Sequence, residues 1–260
     1  MKTFKLLALL PLAALAALAL IAGPAFAQDE AGVTPYRPSV SSPAQLPLPG
    51  QLEFEVGGLS TKSGAARRDS LPYTFKLAFD PQWGLLVGGE AGVAARNESG
   101  QRARGSGDMS LVLKRAFLLD SATAFGLELG VKLPLAKDNI GSGKTDYTLN
   151  GIFSKDLAAV HMDANLNVTR EGALDAGTGR TQSGLSASFS TPVSEKWGAT
   201  AELSGTHRHG QSDTAQLLLA ATYNPNKHLA IDVGFARGLN AASPDWSLFS
   251  GLVLPIARLW

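Results

Sequence analysis

The 260-residue sequence contains no cysteine. That excludes disulfides, thiolate nucleophiles, cysteine-zinc sites and a lipidated N-terminal cysteine. No charge is in excess either: 23 Lys+Arg stand against 22 Asp+Glu, a balance that argues against a nucleic-acid partner. Long apolar runs are absent after the first 27 residues, so no later segment offers the ~20 residues of a spanning helix. There are only four histidines, and no G-x-S-x-G elbow occurs. A lipase or lipid deacylase would need a His-Ser pair at the outer rim. His161 reads as lumen-facing, His228 lies by a short turn, and His207 and His209 fall in a loop. No enzyme activity and no cofactor are expected.

What is present begins with an export signal over residues 1–27. Lys2 and Lys5 give a basic start, Leu6 to Ala22 an apolar stretch, and Ala25-Phe26-Ala27 a small-x-small cleavage site. The rival, an anchor helix, is short and is interrupted by Pro11. Cleavage would leave 233 of the 260 residues, enough for one closed barrel. Residues 28–50 form a second unit carrying Pro35, Pro38, Pro43, Pro47 and Pro49. Proline fixes φ and removes a donor, so this segment is neither ladder strand nor regular helix. It reads as an extended leader of polyproline character. Two placements are open to it: a loose periplasmic tail, or a segment tucked into the mouth of a barrel and narrowing it.

Residues 51–260 carry about twelve segments in which apolar and polar residues alternate. The cleanest sets Val160, Met162, Ala164, Leu166 and Val168 against His161, Asp163, Asn165, Asn167 and Thr169. Period two places the two sets on opposite faces of a sheet. Short turns near 80, 120, 156, 194 and 226 alternate with longer loops near 65, 100, 140, 175, 210 and 241. The polar face is rich in Ser, Thr, Asn and Gly, unlike the Lys/Glu surface of a soluble sandwich or lipocalin-like barrel. The expected fold is all-β: a transmembrane up-and-down antiparallel barrel of about twelve strands, with short periplasmic turns and longer extracellular loops. Aromatic residues from Tyr73 to Trp260 fall near strand ends, where interfacial girdles sit. The barrel is expected in the outer membrane of a Gram-negative cell, reached by the general secretion route.

Three stretches carry a family resemblance. GDMSLVLKR (Gly107 to Arg115), RGLN (237–240) and PDWSLFSGLVLPI (244–256) resemble the transporter-like outer-membrane barrels grouped as putative meta-pathway phenol-degradation proteins. The resemblance spans roughly residues 50 to 260. It implies a porin-like, roughly twelve-stranded barrel that passes small, often aromatic or hydrophobic, solutes. One departure concerns the C-terminal strand, read by the barrel-assembly machinery. Leu252, Leu254 and Ile256 keep the alternation back from Trp260, but Arg258 does not.

By the same alternation the lumen receives Glu53, Glu55, Glu90, Asp108, Glu128, Asp146, Asp163, Glu202 and Asp232. Against them stand Lys76, Arg96, Lys114 and Lys132, with the charge of His161 left open. A narrow pore does not hold unpaired carboxylates cheaply. The candidate selectivity residues are Glu90, Asp108, Lys114, Glu128, Lys132, His161, Asp163, Glu202 and Asp232. They suit either a cation-preferring or neutral-solute channel, or a salt-bridged, non-conducting structural or surface-interaction barrel.

The loops lean the other way. Lys62, Arg67, Arg68, Arg96, Arg102, Arg104, Lys137, Lys144, Arg170, Arg180, Arg208 and Arg237 face Asp69, Glu98, Asp138, Glu171, Asp175, Asp213 and Asp245. A basic rim suits outer-membrane lipid and phosphate-rich lipopolysaccharide. A funnel for anionic solutes is the competing reading. His207-Arg208-His209 lacks a third ligand, so no metal is expected. Gly141-Ser142-Gly143-Lys144 lacks the strand-loop-helix setting of a phosphate loop.

Overall fold

Period-two sequence becomes one closed antiparallel sheet in the computed structural model, which describes residues 32–137 and 139–260. The signal segment, residues 28–31 and Asp138 lie outside the described residues. The strands in chain order are β1 (Gln51–Ser63), β2 (Ala66–Ala78), β3 (Trp83–Arg96), β4 (Arg102–Gly105), β5 (Met109–Leu118), β6 (Thr123–Leu133), β7 (Asp146–Leu157), β8 (Val160–Arg170), β9 (Thr181–Pro192), β10 (Trp197–Arg208), β11 (Thr214–Asn226), β12 (Leu229–Gly238) and β13 (Trp246–Arg258). Sequence neighbours pair, except that β4 and β5 both pair with β3, and β1 closes the ring on β13. β4 and β5 lie end to end along β3, so thirteen segments make twelve staves.

The sheet's two faces meet different surroundings. Outward residues such as Leu129 (54% exposed), Leu185 (64%), Leu203 (58%) and Val233 (57%) form an uncovered apolar belt. At roughly 25 cal/mol per Å² such a belt is unfavourable in water and favourable in lipid. Inward residues are the buried ones, and many are charged: Glu53, Lys76 and Lys114 have no exposure. Closure also removes every sheet edge, which the bilayer core requires. Aromatic pairs brace the turn end: Trp197 on Tyr223 at 4.8 Å and Phe125 on Phe153 at 5.0 Å. Tyr73 does not belong to a girdle. It lies within β2 and packs on Phe75. The end bearing the short turns and the C-terminus is taken as periplasmic.

Two bulges depart from simple alternation. Ser70 pairs with Val93 but Pro72 pairs with Glu90, so β3 holds one extra residue opposite Leu71. Proline has no N–H for the ladder, and the register slips beside it. Beyond the slip every side chain of β3 changes face. Val93 turns inward and is 5% exposed. Arg96 turns outward, not into the lumen, and stands in register with Arg67 and Arg102. A second slip, beside Pro255, adds Ile256 to β13. It places Arg258 opposite Gln51, on the lumen side. The apparent break in the C-terminal pattern is therefore a bulge. The connection near 65 is also not a long loop: β1 and β2 run on to a two-residue turn at Gly64-Ala65.

Candidate functional site: the lumen and its leader segment

The residues after 32 run inside the barrel. Val33 N–H donates to the Lys227 carbonyl at the periplasmic end, 2.8 Å. From there the chain circles the inner wall. Thr34 and Tyr36 N–H donate to Glu53 (3.1 Å) and Glu55 (2.7 Å) on β1. Arg37 pairs with Asp232 on β12. Ser41 N–H donates to Glu202 on β10 at 2.8 Å, and its hydroxyl to Ser186 on β9 at 2.9 Å. Ser42 exchanges two bonds with the Asn165 amide on β8, 2.8 and 2.9 Å. Ala44 N–H donates to Ser154 on β7, 2.8 Å. The turn returns through Pro49, bridged to Ala78, into β1. Residues 32–50 are therefore not a loose tail: they tuck into the periplasmic end of the barrel, as the second placement has it, and form a ring along the lumen wall.

Proline explains why this segment and no strand fills the lumen. An extended chain with few N–H groups satisfies itself with side chains rather than a ladder. The N–H groups of Thr34, Tyr36, Ser41, Ser42 and Ala44 find a wall carboxylate, amide or hydroxyl. The wall lysines do the converse. Lys76 Nζ donates to the Thr34 carbonyl and Lys114 Nζ to the Pro43 carbonyl. The same ammoniums hold carboxylates: Lys76 to Glu53 at 2.9 Å and Glu55 at 2.6 Å, Lys114 to Glu128 at 3.0 Å. Between them lies the Tyr36 ring, its centroid 4.4 Å from the Lys76 nitrogen and 4.1 Å from that of Lys114. The Tyr36 hydroxyl donates to the Gln45 carbonyl at 2.8 Å, cross-linking the leader to itself. Burial, then Glu128 and the other nearby carboxylates, push the Tyr36 phenol well above its ordinary range, which keeps it a neutral donor.

The acid excess of the wall is thus largely absorbed. Glu53, Glu55, Glu202 and Asp232 bind leader atoms, while Asp163 takes the Ser154 hydroxyl at 2.5 Å and His161 at 3.2 Å. Asn150 donates to Glu128 at 2.9 Å. Two further cations face inward: Arg37 from the leader, and Arg68, which lies on β2 at the parity of Lys76 and not in a loop. Arg68 reaches inward to Glu90, at the extracellular end. There Lys132 bridges Asp108 (3.5 Å) and Asp146 (2.6 Å). The nine candidate residues accordingly fall in two groups. Lys114, Glu128, His161, Asp163, Glu202 and Asp232 surround or adjoin the leader; Glu90, Asp108 and Lys132 lie above it.

A sequence signal for the docked leader existed in the wall glycines. Gly57 and Gly251 are directly paired across β1 and β13. A Cβ on Gly57 would lie 2.6 Å from Arg37 Nη2, and one on Gly251 2.3 Å from Arg37 Nε. The two glycines open the slot through which Arg37 reaches Asp232. At Gly126 an added Cβ would meet Ala44 Cα at 3.1 Å. Glycine within a strand marks a close backbone approach, but sequence does not name the segment that approaches.

Above the leader the lumen opens. A cavity of about 520 Å³ is lined by Thr61, Ser63, Arg67, Arg68, Arg96, Arg102 and Asn139 among others. A second, of about 170 Å³, is lined by Asn167, Ser186, Ser204, Thr206 and Gln216, with Val40 of the leader against it. Among the described residues no group of three His, Asp or Glu is placed to hold a metal ion.

This geometry defines a class: a porin-like outer-membrane β-barrel fold with an internal segment in its lumen. Solved structures share the fold. The NanC porin matches with TM-score 0.57 at 8% identity, over 78% of this chain and 100% of that one. The KdgM porin matches with TM-score 0.54 at 10% identity, over 79% and 99%. KdgM in complex with a disordered oligogalacturonate matches with TM-score 0.52 at 10% identity, over 80% and 99%. No protein-family model and no curated protein sequence matches the chain.

Proposed function

We propose that this chain is an outer-membrane channel for a small solute, held shut by its own leader. One observation carries the reading. The leader ring leaves Glu53, Lys76, Lys114 and Glu202 at most 1% exposed, while cavities with Arg, Ser, Thr and Asn side chains among their lining remain open above it. A barrel whose only task was structural would not need a hollow half. The porin fold of NanC and KdgM supports passage as the role. The sequence resemblance to phenol-degradation barrels favours an aromatic or hydrophobic solute. Export by a cleaved signal, delivery through the barrel-assembly machinery at the Trp260 strand, and residence in the outer membrane belong to the same reading. No nucleic acid, cofactor or catalytic chemistry enters it.

Release of the leader would remove Arg37 and bare the wall carboxylates. Glu53, Glu55, Glu128, Glu202 and Asp232 would then outnumber Lys76 and Lys114, and the open pore would prefer cations. Planar-bilayer recording tests this. Wild-type protein should conduct weakly, and a leader-releasing Tyr36→Ala/Arg37→Gln variant should conduct steadily with cation preference. Adding Glu128→Gln and Glu202→Gln should reduce that preference. Liposome uptake of phenol against a neutral sugar then assigns the solute class.

The dense pairing of the leader favours a second reading, a permanently sealed structural barrel. A released variant that neither conducts nor takes up solute decides for it.

A further inference from the structure

The cavity of about 520 Å³ at the extracellular end gathers one residue type. Arg67, Arg68, Arg96 and Arg102 all line it, and among its described lining residues none is acidic. Register explains the gathering. Arg67 on β2 is directly opposite Arg96 on β3, and Arg96 is opposite Arg102 on β4. Directly opposed residues hold their Cβ atoms about 4.5–5.5 Å apart. The bulge beside Pro72 sets Arg96 in this line. Arg68, of the other parity, comes to the same cavity from the lumen side, opposite Thr61. Arg96 Nη2 donates to the Ala65 carbonyl at 2.9 Å, which draws the guanidinium across β2 to the tip of the β1–β2 hairpin.

Each of the four arginines has a partner in the fold. Asp69 holds Arg67 at 3.0 Å. Glu90 and the Ile140 carbonyl hold Arg68. Arg96 has the neutral Ala65 carbonyl, and Arg102 is engaged as well. What points to a ligand is the wall of the cavity taken together, with four guanidiniums and no carboxylate. Like charges directly opposite one another destabilise a sheet, and an anion between them relieves the repulsion. Deeper in the barrel the charges are already matched. Lys76, Lys114, Arg37 and leader N–H groups take the wall carboxylates. With the leader docked, a solute entering from outside meets arginine first.

We propose that this arginine-lined cavity captures a small organic carboxylate from outside while the leader still shuts the barrel. The planar guanidinium fork matches a carboxylate with two parallel N–H···O bonds. A concave wall of one sign concentrates solutes of the other. The volume lies within the roughly 300–1,000 Å³ of small-molecule pockets and exceeds what an inorganic anion fills. The inference deepens the channel reading above and rests on it for the solute's passage. Binding itself needs no open pore, so the two are measured apart.

The test is isothermal titration calorimetry of the detergent-purified full chain with three probes of one shape and different charge: benzoate, benzyl alcohol and benzylammonium. Inorganic phosphate is the fourth. Wild-type protein should bind benzoate roughly tenfold or more tightly than benzyl alcohol, and benzylammonium least of all. Raising the salt concentration should weaken the benzoate complex. The Arg68→Gln/Arg96→Gln variant should lose the preference, and a Lys155→Gln/Lys196→Gln variant at the periplasmic turns should keep it. Heat-modifiable gel migration reads folding separately. Should the double variant fail to fold, Arg96→Lys answers the question: charge without the bidentate fork should lower benzoate affinity several-fold. Equal affinity for benzoate and benzyl alcohol overturns the proposal. So does an unchanged preference in the arginine variants, or phosphate binding as tight as that of benzoate, which would assign the cavity to an inorganic anion. Benzoate binding by a protein that never conducts, even with the leader released, overturns the channel reading and supports this site. A conducting pore without the benzoate preference does the reverse.

Discussion

Arg37 and Asp232, 195 residues apart in sequence, form a bidentate pair: Nε to Oδ2 at 2.9 Å and Nη2 to Oδ1 at 3.1 Å. The Asp232 carboxylate is 3% exposed and the Arg37 side chain 18%. The pair fastens the leader to β12, two staves from its β1 contacts. Removing one partner of a buried pair strands the other, at a cost of about 3–5 kcal/mol. Arg37→Gln is therefore expected to free the leader. Single-channel recording should show the open fraction rise at least tenfold, with gel migration of the folded barrel unchanged. Asp232→Asn should act in the same direction and more weakly, since the amide still accepts one hydrogen bond.

The glycine slot makes a separate prediction. Gly251→Val leaves the Arg37–Asp232 chemistry intact but places carbon where the guanidinium now lies, 2.3 Å from Nε. The ion pair should be lost by exclusion. Proteinase K should then cut within residues 32–50 in the variant and spare them in the wild type. An uncut variant would show that Arg37 has another route to Asp232.

Tyr36 separates ring from hydroxyl. Tyr36→Phe keeps the ring between Lys76 and Lys114 and loses only the bond to Gln45. Tyr36→Ala loses both cation–π contacts, together about 2 kcal/mol or more where water is excluded. Thermal unfolding in detergent should order the three proteins wild type, Phe, Ala, with the larger step between Phe and Ala. Proteolysis of the leader should follow the same order.

The bulge in β3 is checked by labelling, which the absence of cysteine makes simple. Val93→Cys and Ala94→Cys each carry one environment-sensitive fluorophore. Strict alternation with Glu90 would put 94 inside and 93 outside; the register beside Pro72 reverses them. Quenching by spin-labelled lipid should be strong at 94 and weak at 93.

Sequence by itself determined the barrel. Alternation over twelve staves, turn spacing and girdle residues such as Trp197 and Tyr223 are local properties, because each strand's two faces are written in its own residues. It also indicated nine inward carboxylates, and inwardness follows from the same period. Tertiary structure decided what satisfied them. Arg37 meets Asp232 and Ser41 meets Glu202 across separations of 195 and 161 residues, and nothing in a local pattern encodes a partner so distant. The proline-rich leader signalled that it could not join the ladder and left two placements open, a loose tail or the barrel mouth; ring closure around the lumen gave its N–H groups acceptors that no local turn offered. The face of Arg96 was likewise undecidable by counting, because one extra residue opposite Leu71 inverts everything beyond it. Period fixes which residues share a face. Register, set by pairing with another strand, fixes which face that is.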